Sequence, residues 1–135
     1  MDFDHPDVGT LRASFEDGLY RVALDVDPGI AEVARALLPK SLRWNRPRFA
    51  SHVSVVRDKE LAPGMPEVLS QLDGERVEFT YDTFVYSDET YFWLRVESPR
   101  LRGVRIELGL EPMGWVARPP DQSDWFHLTI ANLKG

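Results

Sequence analysis

The sequence predicts an α+β domain built from two similar lobes. The first observation is the order of the predicted elements, because strand, helix, loop and strand are followed by strand, strand, helix, loop and strand. The second is a pair of matching strands, one at the end of each half. The third is the composition of the 135 residues, 43% hydrophobic and 28% charged, which suits one globular domain with a sizeable core.

The first residues, 1–17, are predicted to form a peripheral segment with a short helix near Phe15. Several residues there disfavour regular structure, namely Asp2, Asp4, Pro6, Asp7 and Gly9. One domain is expected over residues 18–135, with lobes of about 18–60 and 75–135.

The first lobe begins with a strand-like run at Leu19–Val26, which has apolar residues at every second position. Asp27 then caps a helix that starts at Pro28 and continues to Leu38 at helical spacing. A loop over 41–50 leads into a second predicted strand at Ser51–Arg57.

The second lobe follows a stretch rich in proline and glycine that leaves room for one short helix at Pro66–Leu72. Two strands are predicted at Arg76–Tyr86 and Tyr91–Ser98, joined by a hairpin turn. A helix from Pro99 should stop at Gly109, because glycine readily ends helices. The last predicted strand is Trp125–Leu133.

The matching strands carry the same four-residue pattern of histidine, apolar residue, hydroxyl residue, apolar residue. The two copies are His52-Val53-Ser54-Val55 and His127-Leu128-Thr129-Ile130. On a strand the first and third side chains share one face, so each histidine lies on the same face as a hydroxyl. The third histidine of the chain, His5, is expected to be a solvated terminal residue without a role.

The net charge of −6 argues against a protein that grips long DNA or RNA, because such proteins usually carry a basic stripe. One segment is nevertheless basic, and it flanks His52. Its cations are Lys40, Arg43, Arg46, Arg48, Arg57 and Lys59, against the single acid Asp58. This distribution favours a small anionic ligand that is held locally.

The chain contains no cysteine, which excludes disulfides and thiolate chemistry and favours an intracellular protein. It also has no apolar run long enough to span a membrane and no positively charged start typical of a signal peptide. We therefore expect a cytoplasmic protein without a membrane partner. The oligomeric state stays open.

Two histidines and two hydroxyls suit the cleavage of a phosphodiester. The reaction needs a base for the nucleophile, an acid for the leaving oxygen, and donors for the phosphoryl oxygens. His52 and His127 can act as base and acid, in either order, and Ser54 and Thr129 can donate to phosphate. The nucleophile is either water or a 2′-hydroxyl of the substrate. This scheme requires no cofactor, and two histidines without a third ligand make a poor metal site.

Further candidates for substrate binding lie near the motif strands. Arg48 and Arg57 flank the first strand, and guanidinium groups bind phosphate oxygens well. Trp44 and Trp115 precede the two motif strands in loops, where an aromatic ring can stack on a base. Two further tryptophans in strand patterns, at positions 93 and 125, are expected in the core.

With its paired motifs the sequence resembles the 2H phosphoesterase superfamily, which includes the LigT-like RNA 2′,3′-cyclic phosphodiesterases. The resemblance implies two lobes of antiparallel sheet, helices packed outside them and a central cleft. The segments Ser51–Arg57 and Phe126–Asn132 look most like phage anti-CBASS phosphodiesterases, which degrade cyclic oligonucleotide second messengers. In that group an aromatic on the first strand stacks on a base, and Tyr20 is the matching position here.

The leading hypothesis is therefore a phosphodiesterase for a small nucleotide, with a cyclic oligonucleotide as the preferred substrate. It would act in the cytoplasm, and in the host cytoplasm if the chain is phage-encoded. Three other hypotheses remain: an RNA 2′,3′-cyclic phosphodiesterase of LigT type, a protein that binds a nucleotide without cleaving it, and a domain whose two histidine strands are merely amphipathic.

Overall fold

The computed structural model describes residues 4–16, 19–56, 66–112 and 125–134. Within these residues the chain forms seven strands and three helices. The strands are β1 (His5–Glu16), β2 (Leu19–Asp25), β3 (His52–Val56), β4 (Arg76–Tyr81), β5 (Tyr86–Ser87), β6 (Tyr91–Glu97) and β7 (Phe126–Asn132). The helices are α1 (Pro28–Arg35), α2 (Pro66–Leu72) and α3 (Pro99–Glu107).

The strands form one antiparallel sheet that closes on itself. Six of them are hydrogen-bonded in the order β4, β1, β2, β3, β7, β6. The short strand β5 pairs with Phe92 and Trp93 of β6. The ring is closed between β4 and β6, where Thr80 pairs with Glu97 and Tyr81 with Val96. The result is a small, six-stranded antiparallel barrel with few helices.

The predicted two-lobed α+β fold with a central cleft is therefore wrong. The helices and most strands lie where the sequence pattern places them, but the strands pair across the two predicted halves. β3 of the first half pairs with β7 of the second, and β1 pairs with both β2 and β4. Because strand pairing is decided by hydrogen bonds between distant segments, local patterns did not reveal the closure.

The N-terminal segment is a strand and not the predicted peripheral helix. Leu11 and Ala13 point to the core at a spacing of two, and β1 is paired along both of its edges. Gly9 is needed for this packing, since a Cβ there would come within 2.6 Å of the Asp25 carbonyl oxygen and 2.7 Å of Leu24 Cγ. Pro6 and Asp7, which suggested irregular structure, lie near the start of the strand and are paired with Thr80 and Phe79 of β4.

The helices begin as the sequence predicts. The Asp27 carboxylate accepts the Gly29 N–H at 2.8 Å and caps α1. The Ser98 hydroxyl accepts the Leu101 N–H at 3.2 Å and caps α3. Beyond the end of α3, Gly109 adopts a φ of 82°, which glycine tolerates without strain. In the described part of the chain, no helix has the length and apolar character needed to cross a membrane.

One face of the sheet is apolar and shares a single core with the three helices. In the motif strands the residues between the polar ones are fully buried, namely Val53, Val55, Leu128 and Ile130. The helices contribute Ile30, Ala34, Leu69, Leu101 and Val104 to the same core. The opposite face of the sheet, here called the histidine face, therefore carries the polar positions of β3 and β7.

Candidate active site

The two motif strands lie side by side. β3 and β7 are antiparallel neighbours, and Val53 is paired with Leu128. Continuing this register places His52 opposite Thr129 and Ser54 opposite His127. The four polar side chains are thus brought together on one patch of the sheet.

These four side chains lie on the histidine face and remain accessible to solvent. Each of them is half-buried, whereas their neighbours along the strand are buried. His52 and His127 are diagonal neighbours across the strand pair, a relation that places backbone positions about 7–8 Å apart. A phosphate group placed between the two rings would therefore be within reach of both imidazoles and both hydroxyls.

His52 is held by a backbone carbonyl in a defined tautomer. Its Nδ1 lies 2.8 Å from the Ala50 carbonyl oxygen. Because a carbonyl oxygen only accepts hydrogen bonds, Nδ1 carries the proton and Nε2 of the neutral ring carries the lone pair. This arrangement suits a general base that acts through Nε2.

His127 is held by an aromatic ring. The Trp93 indole stacks on it, with ring centroids 4.9 Å apart and an interplanar angle of 21°. Trp93 comes from β6, where it is the register partner of Thr129. It is buried, as the sequence suggests, but it packs under His127 and not in the apolar core. The alternation of β6 reveals this, since Leu94 and Val96 already occupy the core face.

Arg95 is a buried cation beside this patch that the sequence analysis missed. It is the register partner of His127 and forms an ion pair with Asp82 at 3.3 Å. Its guanidinium carbon lies 4.3 Å from the centroid of the Tyr86 ring and 4.2 Å from that of Trp125. One carboxylate and two aromatic faces thus contact the guanidinium group of a residue paired with His127.

A cavity of about 620 Å³ opens on the histidine face next to β3. Its volume lies in the range of sites for small molecules. The polar and aromatic residues that line it include Arg12, Arg21, Phe49, His52 and Ser54, with Ala23 between them. Arg12, Arg21 and Phe49 were not predicted from the sequence, although both arginines alternate with buried residues in their strands.

Of the other residues predicted for substrate binding, the structure describes the side chains of Arg48 and Trp44 only. Arg48 is exposed, with its guanidinium carbon 5.9 Å from the centroid of the Phe49 ring, close to the cavity. Trp44 is partly buried against the core, so it anchors its loop. Tyr20 lies in β2 opposite Phe15, but its side chain is outside the described residues. Arg57 and Trp115 also lie outside them.

The basic segment before β3 is partly neutralised by α1. Arg46 donates a hydrogen bond to the Glu32 carboxylate, which also accepts one from Arg35 at 2.6 Å. These hydrogen bonds, led by that from Arg46, hold the pKa of Glu32 below its usual value. Arg46 thus links the loop to the helix.

Among the residues that the structure describes, no three histidine, aspartate or glutamate side chains are grouped so that they could hold a metal ion. We compared the chain with protein-family models, with curated proteins and with solved structures, and none of these comparisons gives a match. The function proposed below therefore rests on the residues of this chain.

Proposed function

We propose that the protein is a phosphodiesterase that cleaves a small nucleotide by acid–base catalysis with His52 and His127. The observation that carries this proposal is the pairing of β3 with β7, which puts two imidazoles and two hydroxyls on one accessible patch. These groups supply a base, an acid and hydrogen-bond donors for the phosphoryl oxygens, which is the set that the reaction needs.

In this proposal His52 is the base. Its Nδ1 proton is held by the Ala50 carbonyl, so the Nε2 lone pair takes the proton from water or from a 2′-hydroxyl of the substrate. The oxygen so activated attacks phosphorus, and the bond from phosphorus to the leaving oxygen breaks. The imidazolium of His127 gives its proton to that oxygen, and exchange with solvent restores both rings. Ser54 and Thr129 donate to the non-bridging oxygens.

The substrate is proposed to be a small nucleotide, with a cyclic oligonucleotide as the first compound to test. A cavity of about 620 Å³ suits a ligand of this size, and the net charge of −6 disfavours a surface that follows a long polyanion. A chain without cysteine fits a cytoplasmic setting for this activity.

The test is turnover of cyclic dinucleotides, cyclic trinucleotides and 2′,3′-cyclic mononucleotides in excess chelator. We expect cleavage of at least one of them, and a loss of about 100-fold or more in kcat for His52→Ala and for His127→Ala. The control is His5→Ala, which removes the third histidine of the chain and should leave kcat unchanged.

Other outcomes would point elsewhere. Recovery of an intact ligand from the denatured complex would indicate a binding protein, and activity confined to long RNA with steep salt dependence would indicate RNA-end processing. Full activity in the doubly substituted His52→Ala, His127→Ala protein would overturn the proposed mechanism.

A further inference from the structure

The part of the cavity that is formed by β1, β2 and the segment before β3 is built differently from the histidine patch. It contains two guanidinium groups, from Arg12 in β1 and Arg21 in β2, and the ring of Phe49. Neither arginine nor this phenylalanine takes part in the acid–base scheme. Phe49 is 59% exposed, so its ring is accessible at the cavity.

Strand register connects this cluster to the histidine patch through a small residue. Ala23 of β2 is paired with Arg12 of β1 on one side and with Ser54 of β3 on the other. Arg21 is two residues before Ala23, on the same face of β2. Because neighbouring strands are about 4.8 Å apart, the backbones of Ser54 and Arg12 are separated by about 10 Å. The methyl group of Ala23 leaves the space between them open.

The charges favour an anion in this part of the cavity. Arg21 places its guanidinium carbon 5.8 Å from the centroid of the Phe49 ring, and among the described residues it forms no ion pair with a carboxylate. Arg12 donates to the Asp25 carboxylate at 3.0 Å, and both side chains are at least half exposed. An exposed pair of this kind contributes little, so a phosphate can compete for Arg12.

We propose that Arg21, Arg12 and Phe49 form a second subsite, in which the guanidinium groups bind a second phosphate and the ring supports a base. This inference rests on the proposed function and specifies its substrate class. The substrate is a nucleotide with at least two phosphate groups, one between the histidines and one at the arginines. The second phosphate is either an internal phosphodiester or a terminal group, because both offer non-bridging oxygens to a guanidinium group.

The test compares three ligands: adenosine 2′,3′-cyclic phosphate, the same compound with a 5′-phosphate, and a cyclic dinucleotide. We expect higher kcat/KM for the two compounds with a second phosphate. The ratio of each value to that of the single-phosphate compound should fall about tenfold in Arg21→Gln, and the ratio for the dinucleotide, which has a second base, should also fall about tenfold in Phe49→Ala. The 5′-phosphorylated compound and the dinucleotide together distinguish a terminal from an internal phosphate.

Matched controls separate the subsite from general effects of charge and apolar surface. Arg43→Gln removes an exposed cation from the segment before β3 that also contains Phe49. Phe84→Ala removes a phenylalanine that is 64% exposed. Both should leave the ratio unchanged. Thermal unfolding of each variant checks that the fold is intact.

Calorimetric binding of the same three ligands to the His52→Ala protein separates this inference from the proposed function. Binding that prefers two phosphates and depends on Arg21, without turnover by the native protein, would support the subsite and refute the enzyme. Equal binding of all three ligands, no binding of any, or equal losses in Arg21→Gln and Arg43→Gln would overturn the subsite.

Discussion

At the scale of single residues, the two histidines differ in what holds them. His52 is fixed through a hydrogen bond from Nδ1 to a backbone carbonyl, and His127 by the face of the Trp93 indole. A carbonyl fixes the tautomer of a ring, whereas a stacked indole restricts its plane. In the proposed mechanism, the hydrogen bond to the carbonyl is the reason for assigning the role of base to His52.

The stacking contact leads to a prediction for Trp93 as a positioning residue. Trp93→Leu should lower kcat about three- to tenfold with little change in KM, because a stacked aromatic pair contributes about 0.5–1.5 kcal/mol. Trp93→Phe keeps an aromatic face and should retain most of kcat. Steady-state kinetics of both variants, with unfolding midpoints measured in parallel, provide the check. A Trp93→Leu protein that is less stable but has full kcat would assign this indole a purely structural role.

Individual site residues were predictable to the extent that they repeat a local pattern. His52, Ser54, His127 and Thr129 stand out because the same four-residue alternation occurs twice. Arg95 does not stand out, since its burial depends on a carboxylate and two rings that come from other segments of the chain. Contacts between residues that are distant in sequence cannot be recognised from a local sequence pattern.

At the scale of elements, β1 is the segment whose prediction failed most clearly. Its proline, glycine and acidic residues are typical of irregular chain, yet the strand is paired on both sides. Propensity is a weak guide to strands, because the hydrogen bonds and the side-chain packing come from neighbours distant in sequence. The caps of α1 and α3 were predictable because a cap involves only three or four consecutive residues.

The packing of β1 leads to a prediction for a matched pair of glycine variants. Gly9→Ala should destabilise the protein by about 1–3 kcal/mol, because the new Cβ would lie only 2.6 Å from the Asp25 carbonyl oxygen. Gly103→Ala in α3 should stabilise it by about 0.5–1 kcal/mol, since the nearest atom to the new Cβ is 4.0 Å away and alanine favours helix. Urea unfolding measures both changes. An unchanged midpoint for Gly9→Ala would mean that β1 is peripheral after all.

At the scale of the whole molecule, ion pairs between elements connect the helices to the sheet. Arg100 of α3 binds Glu75, the residue before β4, through two hydrogen bonds of 2.6 and 2.9 Å. These bonds hold the pKa of the Glu75 carboxyl below its usual value. A carboxyl with a lowered pKa in the folded state stabilises the fold above its unfolded pKa, and the contribution is lost as the pH falls.

The pH dependence of stability provides the test of this contact. At pH 7, Glu75→Gln should lower the free energy of unfolding by about 0.5–1 kcal/mol, because the pair is partly exposed. The difference from the native protein should shrink as the pH falls below the unfolded pKa of glutamate, about 4.3, and should vanish once the pH lies below the lowered pKa of Glu75 in the folded state. Glu89→Gln, in the exposed turn before β6, is the control and should change stability by less than about 0.5 kcal/mol. A difference that stays constant with pH would exclude the ion pair as its origin.

The sequence by itself determined which side chains the motif strands carry and where α1, α2 and α3 begin. It also determined the alternation that separates a polar face of these strands from an apolar one. These features follow from side-chain types and from spacings of two to four residues. Only the tertiary structure decided that the strands close into one barrel and that β1 belongs to it. It also decided that Trp93 and Arg95 lie beside His127, and that Arg12 and Arg21 line the same cavity as His52. The physical reason is that backbone hydrogen bonds are nearly the same for all residue types. The partners of a strand are therefore determined by the packing of the whole chain.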